Sequence, residues 1–429
     1  MKYFNKTIIK NIIIYFILFQ TVFSFQYIYE RKNTSDPLAK IPVCLGDNQE
    51  NIKCLEFPID LTYPYVLISP NFYYDKSLKN KNDVDYNQEL IDYKYYFYKG
   101  IKYQTDFFYK DGNIYIKGNN TKLNYVSGLQ DVNILGFGRN FEEEKVHTDG
   151  FNELSDFNFI NYLYKNNFTK DYVFSFEPKS KTETIINIGE RINTNYKKCF
   201  STNKLNEIVK NPDEIDEKGF WNCPLIDITP ENTDKHFCNG ERNYVVFDSI
   251  SEDIHLPYDT GMEILNYIKS FTNDKCFFEE KSFIGSTKKE YSYTYLVCKF
   301  GVDLNKVPAL NFIFEGFELK MGKNVLVRHH DCSLNRVNIL AYKNLRYIRI
   351  GVPLLKKYHI IFDYKDNSVG IIQDKSYLFD EMKSNKIAYY CIFIFIFVLS
   401  IILYSVKTRR KKNSHLIDYD SNINELISK

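Results

Sequence analysis

Two segments, one in each half of the chain, repeat the same pattern around a single aspartate. The first spans residues 57–70 and contains Asp60, and the second spans residues 245–257 and contains Asp248. In each, an apolar run leads into the aspartate, passes a short turn and resumes as an apolar run that ends in proline. A carboxylate at the end of a buried strand is costly unless it is used. The repeat therefore predicts two β-rich halves that bring two carboxylates face to face, as acid–base hydrolysis requires.

A second strand follows each aspartate at a distance in both halves. Residues 134–136 read Ile-Leu-Gly, and residues 348–351 read Ile-Arg-Ile-Gly. Glycine is needed where one backbone passes close to another, so each of these strands is predicted to thread beneath its aspartate loop. The second of them carries Arg349 where an apolar residue is expected.

The rest of this region consists of short β-branched and aromatic runs that are broken by Gly, Asn, Asp and Pro. Examples are residues 113–117, 309–314 and 358–363. This spacing predicts an all-β class with short helices. Apolar residues at helical spacing predict two of those helices, at 154–165 and 259–271.

Apolar segments at the two ends predict a membrane-anchored chain of the secretory pathway. A basic start and an apolar run at 12–23 are typical of a signal peptide at residues 1–24, with an uncleaved anchor as the alternative. Residues 387–406 carry no charge and are long enough to span a bilayer, and basic residues follow at once. We expect a type I protein with a lumenal or extracellular ectodomain. Its predicted parts are an N-terminal β lobe at 25–195, a linker or insertion at 196–219, a C-terminal β lobe at 220–375, a stem at 376–386, the span, and a cytoplasmic tail at 407–429.

Cysteines and glycosylation sequons fit that location. Of the nine cysteines, all but Cys391 lie on the secretory side, where an even number indicates four disulfides. We expect the local pairs Cys44–Cys54 and Cys276–Cys298, and the pairing of the others stays open. Sequons predict glycosylation at Asn33, Asn119 and Asn167.

Charge and motifs exclude several other functions. With 56 basic and 54 acidic residues the net charge is +2, which indicates no nucleic-acid partner. The sequence has no phosphate loop, nucleotide fingerprint or GxSxG motif, so we expect no cofactor. The run 329–332 (His-His-Asp-Cys) is not predicted to bind a metal, because adjacent side chains of a strand point in opposite directions. Asp253 and His255 are predicted to be surface-loop residues, and the chain is expected to be a monomer.

The chain resembles the pepsin-like aspartic proteases over residues 40–375. Residues 57–70 resemble the first active-site loop of that family, residues 134–139 the strand beneath it, and residues 351–363 its C-terminal lobe. The resemblance implies a bilobal pepsin-like fold that binds a peptide or protein in the cleft. It also implies that Asp60 and Asp248 form the catalytic dyad, in which two carboxylates share a proton and activate a water. For the tyrosine of the hairpin that closes over the cleft, Tyr98 is the nearest candidate, with an ordinary packed aromatic as the alternative.

Both loops depart from the family pattern of Asp, Thr or Ser, Gly, and Thr or Ser. The first reads Asp-Leu-Thr-Tyr from Asp60, and the second reads Asp-Ser-Ile-Ser from Asp248. Thr62 and Ile250 replace both glycines with stiff β-branched residues, and Leu61 removes a hydroxyl that ties the two loops together. One lost orienting hydrogen bond costs about 2–4 kcal/mol of transition-state stabilisation.

Two functions therefore stay open at the level of the sequence. The first is an aspartic endopeptidase, weakened by its loops, in which Thr62, Ser249 and Ser251 are the remaining supports. The second is an inactive relative that binds peptides or proteins in the cleft. A structural surface protein with a closed cleft is a third and weaker alternative.

Overall fold

The structure is a computed structural model, and it describes part of the chain. The described residues are 24–32, 36–46, 52–62, 66–69, 82–84, 100–111, 114–117, 123–128, 133–139, 158–180, 182–192, 196–202, 220–238, 243–272, 275–284, 290–299, 302, 306–329 and 334–372.

Several predicted features lie outside the described residues. They are Tyr98, the sequons at Asn33 and Asn119, Cys332, nearly all of the signal peptide, and everything from the stem to the C-terminus. Within the described ranges, no helix combines the length and the apolar character needed to cross a bilayer.

The first half of the chain forms an eight-stranded sheet. Its strands are β2 (Lys40–Gly46), β3 (Lys53–Asp60), β4 (Val66–Ile68), β5 (Asn82–Val84), β6 (Gly100–Asp111), β7 (Ile114–Lys117), β8 (Leu123–Gly128) and β9 (Ile134–Gly136). They run in the order β2-β3-β9-β4-β8-β6-β5, and β7 pairs with β6.

The second half forms an eleven-stranded sheet. Its strands are β13 (Asn222–Pro230), β14 (Asn243–Phe247), β15 (Ile254–Pro257), β16 (Cys276–Ile284), β17 (Glu290–Lys299), β18 (Leu310–Phe314), β19 (Glu318–Met321), β20 (Val327–His329), β21 (Leu334–Val337), β22 (Ile339–Tyr342) and β23 (Ile348–Ile350). Their order is β19-β18-β13-β14-β23-β15-β22-β17-β21-β20, and β16 pairs with β17.

A six-stranded sheet joins the two halves. Its strands are β1 (Phe25–Glu30), β10 (Val173–Pro178), β11 (Glu183–Ile188), β12 (Lys197–Phe200), β24 (His359–Asp363) and β25 (Ser368–Ile372). Their order is β1-β11-β10-β24-β25-β12, so β10 of the first half pairs with β24 of the second half, and β25 pairs with β12. Strand β12 lies within the segment that the sequence indicated as a linker. Contacts group the described residues, all of which lie between positions 24 and 372, into one compact unit.

Short helices cover the sheets. They are α1 (Phe159–Lys165), α2 (Tyr258–Ser270), α3 (Lys323–Leu326) and α4 (Val352–Leu355). Helix α1 falls within the predicted segment 154–165, and α2 begins and ends one residue before the predicted segment 259–271. Helix α1 begins where Asn158 accepts a hydrogen bond from Asn161 N over 3.0 Å, as an N-cap does. Helix α2 buries Ile264, Leu265 and Ile268, which recur at helical spacing on one side of the helix.

Each half has the same arrangement of three strands beneath its aspartate. In the first half, β9 runs parallel to β3, with Asp60 opposite Gly136, and antiparallel to β4. In the second half, β23 runs parallel to β14 and antiparallel to β15, with His255 opposite Arg349. The predicted threading strands are therefore present in both halves, and each separates the strand before an aspartate loop from the strand after it.

Aromatic side chains pack where the halves meet. The rings of Phe174 and Phe362 stack with centroids 4.8 Å apart, and Trp221 lies 5.2 Å from Phe362. The indole of Trp221 is fully buried and donates to Phe137 O over 2.7 Å. Buried aromatic area and this hydrogen bond hold the second half onto the first.

Three disulfides are present among the described residues. Cys44–Cys54 and Cys276–Cys298 confirm the two expected local pairs. Cys199–Cys223 ties β12 to β13 and was left open by the sequence. Cys238 is buried, and the fourth disulfide stays a prediction because Cys332 lies outside the described residues.

The close backbone approach at Gly351 gives a test of the threading strand. A Cβ placed there would lie 2.5 Å from Ser251 O and closer still to Asp253 O. Because both neighbours are backbone, Gly351→Ala is expected to destabilise the protein by about 3 kcal/mol or more in urea unfolding. At Gly322, where a Cβ meets nothing within 4 Å, the same change should cost no more than about 1 kcal/mol. Equal losses for the two variants would contradict this account of β23.

Candidate functional site

Asp60 lies at the end of β3 and is held by the residue that replaces the first glycine. Its Oδ1 accepts hydrogen bonds from Thr62 N over 2.7 Å and from Thr62 Oγ1 over 2.6 Å. The turn thus keeps a main-chain N–H that donates to the carboxylate, although Thr62, the residue that supplies it, is β-branched. Asp60 is 4% exposed, so both bonds form away from bulk water.

One hydroxyl ties the two aspartate loops together. Ser249 Oγ donates to Ile59 O over 2.6 Å and accepts from Leu61 N over 3.0 Å. Leu61 is fully buried and has no hydroxyl with which to make the reciprocal bonds. The hydroxyl of the second loop therefore bridges to the first loop, and Leu61 cannot make the matching bridge in the other direction.

Asp248 is held by its own loop and by an arginine. Its Oδ1 accepts from Ile250 N over 2.8 Å and from Ser251 N over 2.9 Å. Its Oδ2 lies 3.1 Å from Nη1 of Arg349, and both side chains are only 2% exposed. A charged guanidinium therefore contacts the carboxylate that the resemblance assigned to the second catalytic position.

Arg349 reaches Asp248 because of its position in the threading strand. Ile348 and Ile350 on either side of it lie in the main hydrophobic core, so Arg349 projects to the opposite face of β23. Its Nη2 also lies 3.5 Å from the hydroxyl of Tyr347. The sequence marked Arg349 as a departure from the pattern, but it did not predict this contact.

The ion pair changes what the two aspartates can do chemically. In a shared-proton dyad, neither carboxylate has a cation of its own, and their mutual repulsion keeps one of them protonated. Here Nη1 of Arg349 contacts Oδ2 of Asp248 in the interior, so a buried guanidinium binds the oxygen that a shared water or proton would need.

Ser251 does not have the role that the loop pattern predicted. Its backbone N–H binds Asp248, but its Oγ donates to Asp253 O over 3.1 Å and lies 3.0 Å from Nε2 of His255. The hydroxyl therefore supports the end of the loop and not the carboxylate.

The prediction that Asp253 and His255 are surface residues is wrong. They are 2% and 5% exposed. Asp253 can be buried because Nη2 of Arg336 lies 2.8 Å from its Oδ2. Burial lowers the pKa of His255 well below its usual range, and the charges of Arg349 and Arg336 lower it further.

The described residues show no metal cluster and one polar cavity away from the aspartate loops. Within the described residues, no group of three or more His, Cys, Asp or Glu is placed to hold a metal ion. A polar cavity of about 340 Å³ lies on the β16–β17 hairpin and has none of the predicted site residues in its lining. It is lined by Glu280, Ser282, Glu290, Ser292, Lys343 and Asn344.

Comparisons with known proteins support the fold. No family model and no curated protein matches the sequence. The crystal structure of basic 7S globulin from soybean is similar, with a TM-score of 0.55 and 9% sequence identity over 82% of this chain and 95% of that one. At this identity the likeness concerns architecture alone. Together with the two threaded aspartate loops, it supports a pepsin-like fold.

The buried ion pair predicts a large effect of removing the arginine. Arg349→Met should destabilise the protein by about 3–5 kcal/mol, because it leaves the Asp248 carboxylate buried without its cation. The double variant Asp248→Asn with Arg349→Met should recover most of that loss, and urea unfolding of the full mutant cycle measures the coupling.

A surface pair provides the control. Lys198 and Asp366 also lie 3.1 Å apart, but their side chains are 37% and 35% exposed. Lys198→Met should therefore cost less than about 1 kcal/mol. An equally small loss for Arg349→Met would show that the buried pair contributes no more than a solvated one.

Proposed function

We propose that this chain is a catalytically inactive relative of the pepsin-like aspartic proteases that uses its interlobe cleft to bind peptide or protein segments. The observation that carries the proposal is the buried contact between Arg349 and Asp248. A carboxylate whose oxygen is occupied by a guanidinium cannot alternate between acid and base as peptide hydrolysis requires.

The first aspartate loop supports the same conclusion. Leu61 is buried where the family has a hydroxyl, so the hydroxyl bridge between the loops comes from Ser249 and has no counterpart from Leu61. Catalytic groups must be held to within about half an ångström, and each lost support costs activity.

The retained main-chain bonds favour a second candidate, a weak aspartic endopeptidase. Thr62 N binds Asp60, and Ile250 N binds Asp248, in the positions where the family's glycines donate. These bonds preserve the geometry of both loops, but they serve peptide binding at the cleft floor equally well.

For the location of the protein, we propose a monomeric type I membrane protein of the secretory pathway or cell surface. The apolar segments at 1–24 and 387–406 and the basic tail support this topology. Three disulfides support folding in an oxidising compartment.

Cleavage of a peptide library by the purified protein from pH 3 to 7 tests the proposal. The wild-type protein should cleave nothing, while library peptides or a statine-type inhibitor should still bind, as measured by calorimetry. An active pepsin-like protease run on the same library under the same conditions serves as the positive control for the assay. Wild-type cleavage that the inhibitor blocks and Asp248→Asn abolishes would establish the endopeptidase instead. If neither cleavage nor binding occurs, the cleft has no peptide-binding function.

Glycosylation at Asn167 can be tested without disturbing the fold. Asn167 is exposed just after helix α1, whereas Thr169 is 3% exposed and its Oγ1 has no hydrogen-bond partner among the described residues. Thr169→Val destroys the sequon and replaces an unsatisfied hydroxyl with a methyl group, so stability should stay within about 1 kcal/mol or rise. In a host that glycosylates, the variant should lose one glycan in a mobility-shift assay with an N-glycosidase. An unchanged shift would mean that the site is not used.

A further inference from the structure

The second aspartate loop, residues 248–253, lies tightly against the threading strand. Asp248 N donates to Ile350 O over 2.9 Å, and Val352 N donates to Ser251 O over 2.8 Å. The backbone of the loop leaves no room for even a methyl group on Gly351. A new charge in this contact must therefore be compensated in place, or the loop must separate from the strand.

Acidic and basic side chains around the loop are paired with one another. Three arginines from β20, β21 and β23 contact three carboxylates of the loop. These pairs are Arg349 with Asp248 at 3.1 Å, Arg336 with Asp253 at 2.8 Å, and Arg328 with Glu252 and with Asp253, the latter at 3.3 Å. Each carboxylate is thus already shared with an arginine, which leaves none of the three dedicated to a further cation.

His255 connects this network to the loop. It lies in β15, two residues after the loop ends, and its Nε2 is 3.0 Å from Ser251 Oγ. The same hydroxyl accepts from Asp253 N over 3.2 Å and donates to Asp253 O over 3.1 Å. One hydroxyl therefore links the imidazole to the backbone of the loop. A change in the protonation of the ring acts on the hydrogen bonds of that loop through this hydroxyl.

The groups around the imidazole disfavour a positive charge. Arg349 lies opposite it on β23, Arg336 acts on it from β21, and the ring of Tyr342 on β22 packs at 5.0 Å with Tyr293 of β17 behind it. Burial lowers the pKa of His255 well below its usual range, and the two arginines lower it further. The ring is neutral while the loop is held.

We propose that His255 is an acid-triggered release for the second aspartate loop: when the ring takes up a proton, residues 248–253 separate from β23 and open the floor of the C-terminal lobe. The trigger is one proton from solvent, and no covalent bond changes. The proposal concerns the loop itself and goes beyond the pseudoprotease function, since it holds whether or not the cleft binds a peptide.

The sign of the effect follows from linkage. The held loop keeps His255 neutral, whereas a released loop exposes an imidazole that protonates near pH 6.5. Below that pH the released state binds more protons than the held state, so the ratio of held to released loop falls up to tenfold per pH unit until the buried ring itself protonates. Above about pH 7, this contribution to holding the loop is fully present.

Hydrogen exchange of the full-length protein, purified in detergent, tests the proposal between pH 7.5 and 4.5. After correction for intrinsic exchange rates, peptides covering 245–257 should lose at least tenfold protection between pH 6.5 and 5. Peptides covering 173–188 in the six-stranded sheet should keep theirs. If 245–257 stays protected down to the pH at which 173–188 also opens, the proposal is wrong, whatever any variant does.

Two histidine variants separate the trigger from general acid effects. His255→Gln can still hydrogen-bond Ser251 but cannot protonate, so its loop should keep its protection to a lower pH than the wild-type loop. His236→Gln is the matched control, because His236 is 64% exposed beside Asp227 on the surface, and its loop should open as in the wild type. Loss of protection at the wild-type pH in His255→Gln would overturn the assignment of the trigger.

Discussion

A carboxylate in the interior of a protein must be met by hydrogen-bond donors or by a cation, and this requirement governs the second half of the molecule. Asp248 is met by both, since two backbone N–H groups and Arg349 converge on it. The cation comes from β23, the strand that also supplies Ile348 and Ile350 to the core. The ion pair is therefore built into the same strand that organises the second half, and any replacement of Arg349 also alters the centre of the fold.

The two aspartate loops satisfy this requirement in different ways. Asp60 depends on Thr62, which offers both its backbone N–H and its hydroxyl to one oxygen. Asp248 depends on a residue from another strand. Two carboxylates with unlike partners are no longer interchangeable, although the strands around them repeat almost step for step. The strand arrangement around the aspartate is the same in both halves, and the difference between the halves lies in a few side chains.

Much of this architecture could be predicted from sequence because it rests on local patterns. Apolar runs ending in aspartate gave β3 and β14, and glycine after two apolar residues marked β9 as a threading strand. The contact between Arg349 and Asp248 could not be predicted, because it depends on which face of β23 the side chain occupies and on the register with β14. Asp253 and His255 were misassigned for the same reason: polar residues in a short turn look exposed until Arg336 is placed beside them. Strand β12 was missed because Lys197–Phe200 is short and borders a polar stretch.

The aromatic contact between the halves has a practical consequence. Trp221 is the single tryptophan of the chain, it is fully buried, and its indole N–H is bound to a carbonyl of the other half. Its fluorescence therefore comes from one known environment, the seam where the two halves meet. A ligand that changes the angle between the halves would alter that emission without any label, whereas a ligand that binds elsewhere would leave it unchanged.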